Sequence, residues 1–282
     1  MIDIHEYLSP IDADELGRSF RASGAIRHFV IDNFLLPEFF AKVRDAFPTY
    51  EQATRMGFTF QAVNENRKVQ ITDRESFPEP VRQLSDVLAA PDFLDVIGRI
   101  TGIEKLVADP HFAGGGMHVM ASGGRLDVHV DFNILPDRNL YRRLNLLLFV
   151  PAAWRPEWGG TFELWDPDVR ERSFSAPPLP NRCVVFQTSE TSFHGVTPVR
   201  SPDGVSRNAF ASYFYTAECP ELLAGKFHST VFRARPDERW RGRVLMPAER
   251  AARRLREWGQ TARSFLKRPF LGNSTTDLSG RS

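Results

Sequence analysis

The chain has little cysteine, almost no net charge and no long apolar run. Its 282 residues include two cysteines, Cys183 and Cys219. Two thiols cannot build a disulfide framework, so a reducing, cytoplasmic setting is the expectation. Lys plus Arg number 36 against 35 Asp plus Glu, a net charge of +1. The basic excess of a dedicated nucleic-acid binder is missing. No stretch approaches the roughly 20 apolar residues that cross a bilayer. The opening Met1-Ile2-Asp3-Ile4-His5 lacks the basic-then-apolar run of a secretory signal. No internal repeat is visible.

What is present reads as a globular protein. Apolar residues make up 42% and charged residues 25%, an ordinary balance. The length suffices for one large domain or two small ones. Charge is unevenly spread: residues 225–282 hold 14 basic and 5 acidic groups, leaving 22 against 30 in residues 1–224. An acidic body carries a basic tail.

Three regions follow from texture. Residues 1–106 form a mainly helical support. Leu35, Phe39, Val43 and Phe47 recur every fourth position between Phe34 and Phe47, one face of a helix. Pro37 suits its first turn, and Asp32 is a candidate cap. Pro80–Leu88 and Pro91–Gly102 are further helices, the latter stopped by Gly102. Phe58–Ile71 is an extended excursion between helices. Residues 107–219 change character. Candidate strands are Gly116–Ala121, Leu126–His129, Leu144–Val150, Thr161–Trp165, Arg182–Gln187, Gly195–Val199 and Arg207–Thr216. Many short strands with helices on one side fit an α+β class dominated by β, a double-stranded β-helix or jelly roll. Residues 220–282 are a basic extension with an amphipathic helix over about 247–268. Its apolar stripe is Ala248, Ala251, Leu255, Trp258, Ala262 and Phe265. Three readings of that helix stand open: packing on the body, dimerisation, or a peripheral seat on an anionic membrane.

The chemistry starts at His129-Val130-Asp131. Side chains at i and i+2 of a strand share a face, so both can reach one ion. Imidazole nitrogen with carboxylate oxygen suits a borderline divalent metal. Two His and one carboxylate on one face make the facial triad of non-haem Fe(II), with positions left open. The His-x-Asp pair alone is a weak signal, since a polar pair at a strand end looks the same. His194, 63 residues on at a strand start, supplies a third ligand from another strand. Arg207 then opens an apolar and aromatic strand. A buried guanidinium needs a partner, and a ligand carboxylate offers it bidentate hydrogen bonds. A salt bridge at a strand edge is the alternative.

His129-x-Asp131, His194 and Arg207 together resemble the 2-oxoglutarate/Fe(II)-dependent oxygenases, in their prolyl-4-hydroxylase-like branch. Arg143–Val150, Trp154 and Gly159-Gly160-Thr161-Phe162-Glu163-Leu164 add to the likeness, which spans about residues 107–216. The resemblance implies that His129, Asp131 and His194 bind Fe(II). It implies that 2-oxoglutarate chelates the iron and that Arg207 grips its far carboxylate. It implies that O2 drives oxidative decarboxylation to succinate and CO2 with hydroxylation of a substrate, with ascorbate as an accessory reductant. Two departures stand out. Phe149 lies where some relatives have a Tyr for the far carboxylate, and Asn145 could replace that contact. The Ser201-Pro202-Asp203-Gly204 turn lengthens the path to Arg207 and makes Arg200 a rival clamp.

Other residues are candidates for the pocket or its surroundings. His118 and Met120 alternate on one strand and either line the pocket or fill the core. Asn133 orients Asp131 or meets substrate. Arg142 and Arg143 read as a solvated rim at the barrel mouth, and Trp165 as core or mouth. The expected substrate is a small molecule or saccharide by a slight preference. A peptide, hydroxylated in prolyl fashion, is the alternative. A non-catalytic, cupin-like metal-binding or sensing protein is the second alternative. The carboxylate ligand argues against halogenation. Oligomeric state stays open.

Overall fold

A computed structural model describes residues 2–220, 227–238 and 240–248. The chain divides into two compact units, Met1–Arg239 and Trp240–Ser282. In the second unit, Arg241–Leu245 forms a π-helical turn. The tail helix expected at about 247–268 lies almost wholly outside the described residues.

The first unit begins with α1 (Ala13–Ala22), β1 (His28–Ile31), α2 (Pro37–Ala46), α3 (Tyr50–Met56), β2 (Phe58–Gln61) and β3 (Glu65–Ile71). Then follow α4 (Glu79–Ala89), α5 (Pro91–Thr101), β4 (Val107–Ala108), β5 (Gly116–Val130), β6 (Ile134–Leu135) and β7 (Leu140–Phe149). The unit closes with β8 (Phe162–Trp165), β9 (Arg172–Ala176), β10 (Cys183–Gln187), β11 (His194–Val196), β12 (Arg207–Thr216) and β13 (Val231–Arg233). Pro37, Pro80 and Pro91 stand in the first turns of α2, α4 and α5, where a missing N–H costs nothing. Gly102 ends α5 at φ 71°, a left-handed position that glycine takes without strain.

The jelly roll is built around β5. Its first half pairs with β12, its second half with β11 and β13, and β3 runs along both, from Ile71 opposite Met117 to Glu65 opposite Leu126. One sheet runs β1-β10-β7-β12-β5-β3-β2, the other β13-β5-β11-β8-β9. The bend falls at Gly123-Gly124. A Cβ on Gly124 would lie 2.3 Å from the Met120 side chain, so the strand folds back on itself there only with glycine. This bend joins two segments that the sequence reads as separate strands. Alternate residues of the first sheet then face two ways. Val69, Met117, Val119, Leu146, Leu148, Phe210 and Phe214 face the helices and form one large core with Val81, Leu84, Phe93 and Ile97. Each such side chain, fully buried, contributes about 1.5–3 kcal/mol before chain ordering is charged against it. The other face, with Phe149, Val184, Phe186 and Ala209, meets Phe162 and Leu164 of the second sheet.

Several expectations need correction. Asp32 does not cap α2, whose first turn has no side-chain cap. Its carboxylate instead takes a two-point bond from Arg182, at 2.6 and 2.8 Å, and ties the end of β1 to β10. Residues 1–106 are more than a helical support, because β1, β2 and β3 are hydrogen-bonded into the sheet. The extended excursion Phe58–Ile71 is the β2–β3 hairpin. The segment after residue 220 also belongs to the β architecture, since β13 pairs with β5. Helices α1 and α3 and strand β9 were not legible in the apolar pattern. Thr49 and Gln52 close a capping box on α3, a signal that local chemistry carries and periodicity does not.

Candidate metal centre

The second half of β5 delivers His129 and then, one residue past its end, Asp131. The register sets His194 of β11 directly opposite His129. Antiparallel pairing therefore brings together three residues that the chain separates. Their nearest ligand atoms all lie within 4.8 Å of one another. His129 Nε2 is 3.4 Å from Asp131 Oδ1, and His194 Nε2 is 3.3 Å from Oδ2. The two rings stand 4.2 Å apart.

The hydrogen bonds behind the rings fix their tautomers. His129 Nδ1 donates to the Asp127 carbonyl and His194 Nδ1 to the Ser192 carbonyl, both at 2.9 Å. A carbonyl can only accept, so each neutral ring carries its proton on Nδ1. Both Nε2 lone pairs then face a carboxylate. Acceptors facing acceptors at these distances call for a cation between them, and the donor set fits Fe(II). Burial lowers the pKa of His194, helped by the neighbouring His129 and opposed by Asp131. Burial alone would raise the pKa of Asp131, but Arg142 and the two imidazoles override it and hold the carboxyl well below its usual range.

Arg142 is the residue the sequence misplaced. Expected on a solvated rim, it is 1% exposed. Its Nη2 lies 3.0 Å from Asp131 Oδ2, and its Nε donates to Asn145 Oδ1 at 2.7 Å. The guanidinium lies over the rings of Tyr213 and Phe132, at 3.5 and 4.8 Å to their centroids. The reason is a register shift where β12 passes from Phe214 to Tyr215 opposite β7. Arg142 and Asn145 are three apart and would face opposite ways on a regular strand. The irregularity turns both inward. Asn145 Nδ2 donates to Asp131 Oδ2 at 2.8 Å. Its amide is thus committed to Asp131 and Arg142, not left as the replacement contact for a cosubstrate.

Arg207 is buried at 4% exposed. Its Nε donates to the Gly160 carbonyl at 2.6 Å, and the guanidinium stacks over Phe149 at 4.9 Å. Gly160 has φ 64°, and a Cβ there would lie 3.0 Å from both Arg207 and Trp154. No carboxylate pairs with Arg207 among the described residues. Burial without a counter-charge pushes its pKa down to about 9. A buried cation lacking its anion fits a ligand carboxylate.

The remaining candidates scatter. His118 shares the inner face, its Nε2 donating to the Gly114 carbonyl at 3.2 Å. Met120 packs with Trp154, Val196 and Val199. Asn133 bonds Glu190 and the His228 amide. Arg143 is half-buried and donates to Thr216. Trp165 packs with Val128, Val130, Val169 and Phe193, away from the ligand atoms. Two features had no sequence signal. Phe232 of β13 sits opposite His129 with its ring 5.3 Å away. Arg235, 6% exposed, pins the same segment through Glu163 and the Leu126 and Val196 carbonyls.

Residues 115–215 match the sequence model of the 2OG-Fe(II) oxygenase superfamily. The matched segment holds His129, Asp131, His194 and Arg207, so the likeness to that superfamily falls on the candidate site. A match of that kind implies Fe(II), 2-oxoglutarate and O2 as the reacting set. Over 78 residues the chain is 33% identical to prolyl 3-hydroxylase OGFOD1 of Mus musculus, a match covering 26% of this chain and 14% of that protein. A prolyl hydroxylase of Trichoplax adhaerens, solved with a hypoxia inducible factor peptide fragment, aligns at TM-score 0.49 and 17% identity, over 72% of this chain and 88% of that one. HygX of Streptomyces hygroscopicus, solved with nickel, 2-oxoglutarate and hygromycin B, aligns at TM-score 0.48 and 11% identity, over 76% and 97%.

Proposed function

We propose that this chain is an Fe(II)- and 2-oxoglutarate-dependent hydroxylase acting on a residue of a peptide or protein. One observation carries the enzymatic part: a His-Asp-His donor set with both imidazoles buried shares an interior with a buried arginine that meets no carboxylate among the described residues. The ring of His194 lies 4.8 Å from Phe186, in the same apolar cluster as Phe149, on which Arg207 stacks.

In this reading His129, Asp131 and His194 hold Fe(II). Arg207 takes the far carboxylate of 2-oxoglutarate, and the Phe149 ring and the Gly160 carbonyl hold the guanidinium in place. Together with O2 the bound iron and cosubstrate supply an oxidant that hydroxylates a C–H bond, with release of succinate and CO2. Arg142 and Asn145 occupy Oδ2 of Asp131, and among the described residues no hydrogen-bond donor meets Oδ1. Met120, Trp154, Val196 and Val199 keep water from the Arg207 side, where a dry wall strengthens the ion pair. The peptide substrate is supported by the sequence match to OGFOD1. The preference for a saccharide or small molecule drawn from the sequence has no comparable support.

The test has two stages. Thermal unfolding with Mn(II) in place of Fe(II) is run with and without 2-oxoglutarate. A ligand at about 100 times its Kd stabilises by roughly 2.7 kcal/mol. The expected shift needs both metal and 2-oxoglutarate and vanishes in Arg207→Met. Prolyl peptides are then incubated with Fe(II), 2-oxoglutarate and O2, with mass spectrometry for one added oxygen. A shift with metal alone would return the non-catalytic binder. Coupled oxidation of small molecules but of no peptide would overturn the substrate.

A further inference from the structure

Phe149 cannot do what a tyrosine would do at the same place, because it has no hydroxyl. The sheet register shows what stands nearby. Ala209 of β12 lies directly opposite Phe149 of β7 on one side and His118 of β5 on the other. The three side chains form one row on the inner face. Arg207, two residues earlier on β12, shares that face and lies diagonal to both. Diagonal neighbours across a sheet are about 7–8 Å apart, within reach of long side chains. Ala209 contributes only a methyl group, so the row is open between its aromatic ends.

His118 is well held. Its Nε2 donates to the Gly114 carbonyl, which also accepts from the Tyr213 hydroxyl at 2.8 Å. That bond commits the Nε2 proton, so a change of protonation state falls on Nδ1; the Gly115 carbonyl is a second backbone acceptor beside the ring. Two cations face the ring from the flanking strands. Lys68 comes from β3, in the row of Met120, and Arg207 from β12. β7 faces it with the uncharged Phe149. Burial, then Lys68 and Arg207, push the His118 pKa well below the usual imidazole range, against the Gly114 and Gly115 carbonyls, which raise it. Lys68 already has an anion, Glu65, at 3.0 Å. Arg207 has none.

We propose that His118 is the second group holding the far carboxylate of 2-oxoglutarate, and that it takes up one proton as the carboxylate binds. The proposal rests on the functional reading above. The incoming carboxylate brings one negative charge, which offsets that of Arg207 and gives a protonated Nδ1 an acceptor to meet. The balance is simple: one proton leaves the solvent for Nδ1, and no bond of the cosubstrate breaks.

Calorimetric titration of 2-oxoglutarate into the Mn(II)-loaded protein tests this. The titration is run near pH 7.5 in two buffers of different ionisation enthalpy, which reveals proton uptake without any variant. Wild type is expected to take up close to one proton. His118→Gln is expected to take up none and to bind about tenfold more weakly, the loss of one charge-assisted hydrogen bond. Mn(II) affinity should not change. No uptake in wild type, or uptake that persists in His118→Gln, overturns the proposal. If wild type binds no 2-oxoglutarate at all, the functional reading itself falls.

Discussion

At Asp131 two donors, Arg142 and Asn145, meet one carboxylate oxygen. Groups that hold a metal ligand in place are commonly worth 10- to 100-fold in metal affinity. Arg142→Leu is therefore expected to weaken Mn(II) binding by about one order of magnitude or more. Equal Mn(II) affinity in the variant would show that Asp131 needs no such support. Protons compete with the metal at the same site. Both imidazoles must be neutral to bind, and burial lowers the pKa of His194. Asp131, held well below its usual range, stays ionised throughout. Metal affinity should thus be flat near neutral pH and fall as pH drops below the ordinary histidine value of about 6.5. A Mn(II) titration at several pH values between about 5 and 8 checks the sign. Affinity that rises on acidification would exclude His129 and His194 as ligands.

Strand β13 lies outside the matched oxygenase segment, yet it borders the metal-binding strand and puts Phe232 beside His129. Its anchor is electrostatic. Arg235 is bonded to Glu163, which is 2% exposed, and lies 3.5 Å from Asp127, which is 1% exposed. Breaking a buried ion pair from one side leaves the other charge uncompensated and costs about 3–5 kcal/mol. Arg172 and Arg125 still reach those carboxylates, so Arg235→Met should sit near the lower end of that range. Urea unfolding measures it, and Glu163→Gln added to Arg235→Met should recover part of the loss. No loss in the single variant would mean that β13 holds by its backbone alone. The same element shows where pattern reading stops. Val231–Arg233 is three residues long, too short for alternation to register, and it is strand because β5 offers it an open edge.

Across the whole molecule, residues 1–239 form one compact unit that contains every candidate ligand and Arg207. A chain ending at Arg239 is expected to unfold in a single transition and to keep the Mn(II)-dependent response to 2-oxoglutarate. Losing that response with the fold intact would place a needed group beyond residue 239. The helical layer and the jelly roll were legible early because apolar spacing differs between them: every third or fourth residue before 102, short β-branched runs after 107. The clustering of His129, Asp131 and His194 was legible because strand alternation puts His129 and Asp131 on one face and the resemblance pointed to His194 as the third donor. Arg142 was not. Its inward turn depends on the register of β12 against β7, and register is a property of two strands together. Asn145 was assigned to the wrong partner for the same reason. The sequence by itself determined the helical layer, most strands of the jelly roll, and the candidate donor types in their chain order, since these follow from local periodicity and side-chain chemistry. Only the tertiary structure decided which charges share a buried space. Pairings such as Arg142 with Asp131, His118 in the row of Phe149, and Arg235 with Glu163 are set by distance in three dimensions, which no spacing along the chain encodes.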